Sequence, residues 1–185
     1  MPANASEKMR GLIYPWGAQA SPAAGTPVRV AEGVWWLRFP MPMSLDHINL
    51  WLLEDGEGWT IVDTCLDIDT ARALWESLFD GFMGGKPVRR VICTHLHPDH
   101  VGLAGWLTRR FDCELWMSRE EFLMCHTLAD DTGRPAPEVA IRFYRAAGYD
   151  DPDIFRPINS ASAATARNAA TFNSPIMADI PSTTP

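Results

Sequence analysis

A chain of 185 residues, 46% hydrophobic and 21% charged, is long enough for one domain with a real core and short for two; its composition is neither that of a disordered chain nor that of a membrane chain. A formal net charge of −7, with no basic cluster beyond the pairs at 89–90 and 109–110, disfavours non-specific binding to nucleic acid. No stretch approaches the ~18 apolar residues that span a bilayer and no apolar signal segment opens the chain, so a cytoplasmic protein without membrane association is expected.

Residues 1–27 are rich in Ala, Pro and Gly and read as an N-terminal extension that wraps the surface before the first strand. "VRVAEGVWWLRF" (28–39) and "LDHINLWLLED" (45–55) are β-branched, aromatic and aliphatic, and "WTIVDT" (59–64) returns after the turn "DGEG", which predicts a hairpin or meander. A helix follows through "TARALWESLF", where Ala71, Leu74 and Leu78 share one face and Asp67 or Asp69 can cap the start. "VRRVIC" (88–93) reads as a short buried strand, "HVGLAGWLTRRF" (100–111) as a helix and "CELWMS" (113–118) as a strand. Ser118 with Glu121 forms a capping-box pattern for a helix through about residue 129, and "PEVAIRFYRAAG" (137–148) predicts one more, stopped by Gly148. Of residues 158–185, 21 of 28 are Ala, Ser, Thr, Asn or Pro, a texture that cannot pack a core. Cys65, Cys93, Cys113 and Cys125 fit neither a zinc-knuckle nor a redox spacing and read as reduced, buried thiols.

The chemistry is concentrated in "CTHLHPDHVG" (93–102), where His95, His97, Asp99 and His100 put four metal-type side chains into six positions. Alternate side chains at a strand end point the same way, so His95 and His97 can share one cation, while Asp99 and His100 open the next helix and can serve a second. Imidazole and carboxylate donors suit Zn²⁺ and also Fe or Mn. Two such ions would hold a water whose pKa falls to ~7, with Asp99 both a ligand and the group orienting the resulting hydroxide. Other candidates have plainer readings. His126 is a mid-helix residue, His47 a strand residue, Cys93 a buried thiol, and Trp35, Trp36, Trp51 and Trp106 core.

"THLHPDHVGLAGW" resembles the H-x-H-x-D-H signature of the metallo-β-lactamase fold superfamily, and "TIVDTC" resembles that family's upstream Asp-bearing strand end. The resemblance covers residues ~28–150 and implies an α/β fold, the N-terminal half of an αββα sandwich. It implies that His95 and His97 bind the first metal, Asp99 and His100 the second, with Asp63 orienting a ligand from behind. Two Zn²⁺ are then the expected cofactors, and a small-molecule ester, thioester, lactone or lactam the expected substrate. Cys65 stands where the family usually has Gly, which puts the backbone turn after Asp63 in question.

The family's dinuclear site also takes two further His and a bridging Asp from its C-terminal half, whereas this chain has only His126 beyond residue 100. The expectation is therefore a metallo-β-lactamase-like domain over 28–157, truncated to its N-terminal half and followed by a disordered or frameshifted tail, 158–185. A metal-dependent hydrolase, whose downstream ligands this chain lacks, is the leading function. A catalytically dead metal-binding or interaction module is the alternative, ahead of a superfamily nuclease or a mononuclear iron dioxygenase.

Overall fold

A computed structural model describes residues 7–14, 21–131 and 135–149. The tail expected over 158–185, and the end of the expected domain at 150–157, lie outside the described residues. A small antiparallel hairpin, β1 (Glu7–Met9) and β2 (Leu12–Tyr14), turns through Arg10 and Gly11, both at positive φ. The N-terminal extension thus holds regular structure that its composition did not announce.

The main sheet has six strands in simple chain order: β3 (Val28–Ala31), β4 (Val34–Pro40), β5 (His47–Asp55), β6 (Gly58–Val62), β7 (Val88–Ile92) and β8 (Glu114–Trp116). β3 to β6 form the antiparallel meander read from the sequence, and β6, β7 and β8 run parallel. The change of sense at β6 follows from the connections. Two residues join β5 to β6, enough only for a hairpin, whereas α1 (Asp69–Asp80) lies between β6 and β7 and allows a parallel return. Helices α2 (Pro98–Val101) and α3 (Ala104–Phe111) fill the next connection, and α4 (Arg119–Asp131) and α5 (Glu138–Ala146) follow β8.

The period of two decides what each face meets. Leu37, Leu50, Leu52, Ile61, Val91 and Leu115 point to one side, where Trp75 and Phe79 of α1 and Leu107 of α3 close the core. Trp75 is fully buried, tilted against Phe39 at 5.1 Å and stacked on Phe79 at 5.8 Å. On the other side a cross-strand row runs Val28, Trp36, Trp51, Val62, Ile92 and Trp116, each only half-buried. Trp36 and Trp51, expected in the core, belong to this open face and stack on each other at 6.5 Å. Trp35 and Trp106 do pack against the core.

Three helix expectations need correction. Ile68, not Asp67 or Asp69, is the N-cap of α1; Asp69 is its first residue, and Asp67 Oδ1 instead accepts a hydrogen bond from Arg72 Nε at 2.7 Å. The stretch 100–111 is not one helix but α2 and α3 with a bend at Gly102 and Leu103, because the chain there must cross the loop after β6. The Ser118 and Glu121 box closes only halfway: Glu121 N–H donates to Ser118 Oγ at 3.3 Å, and the Glu121 carboxylate goes elsewhere. Helix 137–148 forms as expected, with Pro137 as N-cap and Gly148 at φ +88°, and none of its residues is buried.

Candidate metal centre

The ends of β6 and β7 bring the site together. Asp63 follows β6, and its N–H donates to Ile92 O at 2.8 Å, which ties it to the strand that runs into the His motif. The turn is tight enough that Asp63 (φ +60°) and Cys65 (φ +74°) both occupy the left-handed region. The question raised by Cys65 is therefore answered: the chain makes the turn with a non-glycine residue at positive φ, at a local cost of about 1–2 kcal/mol.

Thr64, between them, holds that turn in place. Its N–H and its hydroxyl both donate to His100 O at 2.8 Å, and its Oγ1 accepts from Leu103 N–H at 3.0 Å. Its carbonyl accepts from the buried Trp75 indole at 2.9 Å. Gly102 completes the junction, since a Cβ there would stand 2.7 Å from Cys65 O and 2.9 Å from Asp67 N.

Asp63 is 4% exposed and fully engaged. It accepts from Thr94 N–H at 2.8 Å, from the Thr94 hydroxyl at 2.9 Å, and from His100 Nδ1 at 2.8 Å. Thr94 Oγ1, having given its proton to Asp63, is an acceptor for His95 Nδ1–H at 3.0 Å. The chain of bonds fixes both tautomers: with Nδ1 of His95 and of His100 protonated, each ring presents Nε2 as a lone pair. Burial works to lower the His100 pKa, but the hydrogen bond and charge of Asp63, with the charge of Asp99, carry it above the ordinary value. His95 is lowered, by burial first and then by the neighbouring imidazoles.

The donors meet in pairs. His95 Nε2 lies 3.0 Å from His97 Nδ1, and His100 Nε2 lies 3.6 Å from Asp99 Oδ2. Two ligand atoms on one tetrahedral zinc, at bond lengths of 2.0–2.2 Å, stand about 3.3–3.6 Å apart. Each pair is thus close to the edge of one coordination tetrahedron, and the His95 and His100 rings stand 3.9 Å apart. Among the described residues, no group of three or more His, Cys, Asp or Glu converges to hold an ion. The donor set fits a metal by halves.

Several contributors were invisible in the sequence. Glu121 of α4 reaches back so that its carboxylate accepts Leu96 N–H at 2.8 Å, pinning the residue between His95 and His97. Thr94 and Thr64 act through their hydroxyls and Gly102 through its lack of a Cβ, contacts that no motif spacing encodes. His126 is on α4 against Phe122, with ring centroids 4.4 Å apart. Cys93 is buried below the motif and burial raises its thiol pKa well above the usual value.

The family model of the metallo-beta-lactamase superfamily matches residues 43–166. The solved structure of a beta-lactamase domain protein from Burkholderia ambifaria is 48% identical with a TM-score of 0.57, over 61% of this chain and 38% of that one. A metallo-beta-lactamase family protein from Thermus thermophilus is 27% identical with a TM-score of 0.45, over 60% of this chain and 42% of that one. The FIM-1 metallo-beta-lactamase from Pseudomonas aeruginosa, solved in a mono-zinc form, is 24% identical with a TM-score of 0.46, over 58% and 47%. The chain thus spans about two fifths to a half of the length of these structures. No curated protein matches it significantly.

Proposed function

Because the chain belongs to the metallo-beta-lactamase superfamily, we propose that it carries the histidine-rich half of a metal-dependent hydrolase centre for esters, thioesters, lactones or lactams. The observation that supports this reading is the pairing of donors close to tetrahedral-edge distances, His95 Nε2 with His97 Nδ1 at 3.0 Å and Asp99 Oδ2 with His100 Nε2 at 3.6 Å. His95 and His97 would hold one ion, Asp99 and His100 a second, with zinc the expected metal and iron or manganese also suited to these donors. A divalent ion held by these donors would supply acidification of a water toward a pKa of ~7 and polarisation of a substrate carbonyl.

The chain's own residues prepare that chemistry. Asp63, through Thr94 and directly, keeps the Nδ1 atoms protonated so that both Nε2 atoms stay open. Glu121 fixes the backbone that spaces His95 from His97. Asp99 would bind the second ion and orient the water it holds.

The test is metal content after dialysis of the purified chain, with a thioester and lactone assay alongside. At most about one weakly held equivalent of zinc is expected, abolished by His95→Ala or His97→Ala. Two tightly held equivalents would overturn the half-site reading, and hydrolysis unaffected by Asp99→Asn would overturn the role of Asp99. The absence of any three converging donors among the described residues favours a second reading, a metal-binding or interaction module without catalysis. Stable folding and zinc binding with no hydrolysis in any assay would select it.

Residues 28–157 are proposed as the family-like domain, and the compositional break at 158–185 as a change of reading frame near codons 157–160. A downstream frame that encodes one His in a Gly/Ser loop, an Asp and a final His supports this. Their absence from every frame rejects it.

A further inference from the structure

The hairpin between β4 and β5 carries a second polar cluster that the metal centre does not use. Arg38 Nη2 lies 2.9 Å from His47 Nδ1 and 3.5 Å from Asp46 Oδ1, and Arg38 Nη1 donates to Ser21 Oγ at 3.3 Å. Arg38 Nε is buried and has no partner among the described residues. His47 Nδ1 is also 2.5 Å from Asp46 Oδ1. One ring nitrogen therefore faces a cationic donor and a carboxylate at once. It can accept from Arg38 or donate to Asp46, but a single lone-pair site cannot do both. The hydrogen bond from His47 is the main influence that holds the Asp46 carboxyl below its usual range, with the charges of His47 and Arg38 adding to it.

Arg38, Asp46 and His47 line a cavity of about 220 Å³ with Ala24 and Pro40. Its place on the sheet follows from the register. Trp51 pairs with Val62, the last residue of β6, whereas Asn49 pairs with Arg38 and His47 with Pro40 beyond it. The cavity thus stands on the sheet end that carries Asp63 and the His motif, with β4 two strand spacings of ~4.8 Å, about 10 Å, from β6.

We propose that this cavity binds the carboxylate of a small substrate, with the Nε–Nη2 edge of Arg38 as its two-point partner and Asp46 as an internal carboxylate that the ligand displaces. A guanidinium edge matches a carboxylate in geometry and charge, and one carboxylate, that of Asp46, already stands 3.5 Å from Nη2. Asp46 has a side chain 74% exposed, so it can swing into water and leave Arg38 Nη2 to the ligand. Ala24 and Pro40 give the ligand's carbon skeleton an apolar wall. Assigning the ligand as a substrate rests on the hydrolase reading; the binding of a carboxylate does not.

The experiment is a succinate titration of the full chain, followed by NMR at the Arg38 Nε–H and Trp36 indole resonances. Saturable shifts are expected in the wild type, about tenfold tighter binding in Asp46→Asn, weakened binding in Arg38→Lys and none in Arg38→Gln. Arg89→Gln, an exposed arginine on β7, and His95→Ala should bind as the wild type does, so failure of the metal reading leaves this one standing. Absence of saturation in both wild type and Asp46→Asn would overturn the proposal. So would undiminished binding in Arg38→Gln with a native circular-dichroism spectrum, and tighter binding of inorganic phosphate than of succinate would overturn the carboxylate assignment.

Discussion

Asp63 does two jobs that a single substitution can separate. It occupies a positive-φ position, which Asn tolerates as well as Asp does, and it supplies the charge that holds Thr94 and His100. Asp63→Asn should therefore keep the turn while losing the carboxylate. Zinc affinity measured against a chromophoric chelator is expected to drop about 10- to 100-fold, the usual effect of losing a group that orients a ligand. An unchanged affinity would mean that the His tautomers are fixed by something else. Cys65 poses the complementary case, conformation without charge. Cys65→Gly relieves the left-handed strain but loses a buried thiol, two effects of about 1 kcal/mol that offset each other. Cys65→Val adds a β-branch at φ +74° and should cost about 1–3 kcal/mol in chemical denaturation. Equal stabilities for the two variants would remove strain from the account.

The thiols also set an alkaline limit. Burial pushes Cys65 up to about 12 and Cys113 to about 11. An unfolded thiol ionises near pH 9, so between about pH 9 and 11 the unfolded chain has lost protons that the folded one retains. The folded state then binds more protons, and by linkage stability falls as pH rises through that window. Denaturation midpoints at pH 8 and pH 10.5 test this: Cys113→Ala should lessen the decline, and a midpoint that holds or climbs would contradict it.

At the scale of elements, the site is a junction of four pieces: the end of β6, the end of β7, the α2–α3 bend and the start of α4. The sequence announced the first two, because hydrophobic strands running into "TIVDTC" and "CTHLHPDH" are local patterns with a known period. The bend is not legible, because 100–111 keeps helical spacing, and only the close approach of Gly102 to Cys65 O and Asp67 N explains the break. Glu121 shows in the sequence only as half of a local capping box, since its bond to Leu96 joins residues 25 apart and leaves no trace in spacing. Gly102→Ala is the sharpest probe of the junction. The added methyl meets backbone atoms on both sides, so a loss of about 1–3 kcal/mol is expected. His100, carried on α2, should shift from Asp63, and the His100 Nδ1–H resonance should exchange faster with solvent. A variant with native stability and an unaltered resonance would show that the junction has slack.

At the scale of the whole molecule, the two sheet faces differ in kind. One is closed by α1 and α3, while the other presents the row Trp36, Trp51, Val62, Ile92 and Trp116, half-buried and without a helix upon it among the described residues. The mixed α/β sheet was legible from element order, but which tryptophans faced which side was not, because strands so rich in apolar residues hide their alternation. An apolar sheet face of this breadth favours self-association. The chain is expected to sediment as a concentration-dependent mixture, and Trp51→Lys, which places a charge at the middle of the row, should shift it toward monomer. A monodisperse monomer in the wild type would indicate that the face is already covered.

The change of strand direction at β6 has a bearing on the order of events in folding. The β3 to β6 meander closes through short turns, so its entropy of closure is small and it can form early. Docking β7 beside β6 must close a loop of about 25 residues that includes α1, a slower step. Asp63 meets Ile92 and Thr94 only after that step. The donor pairs therefore belong to the late-forming part of the molecule, and a chain arrested at the meander would be half-structured yet blind to metal. In a refolding time course, protection of the β4 and β5 amides should precede any response to zinc.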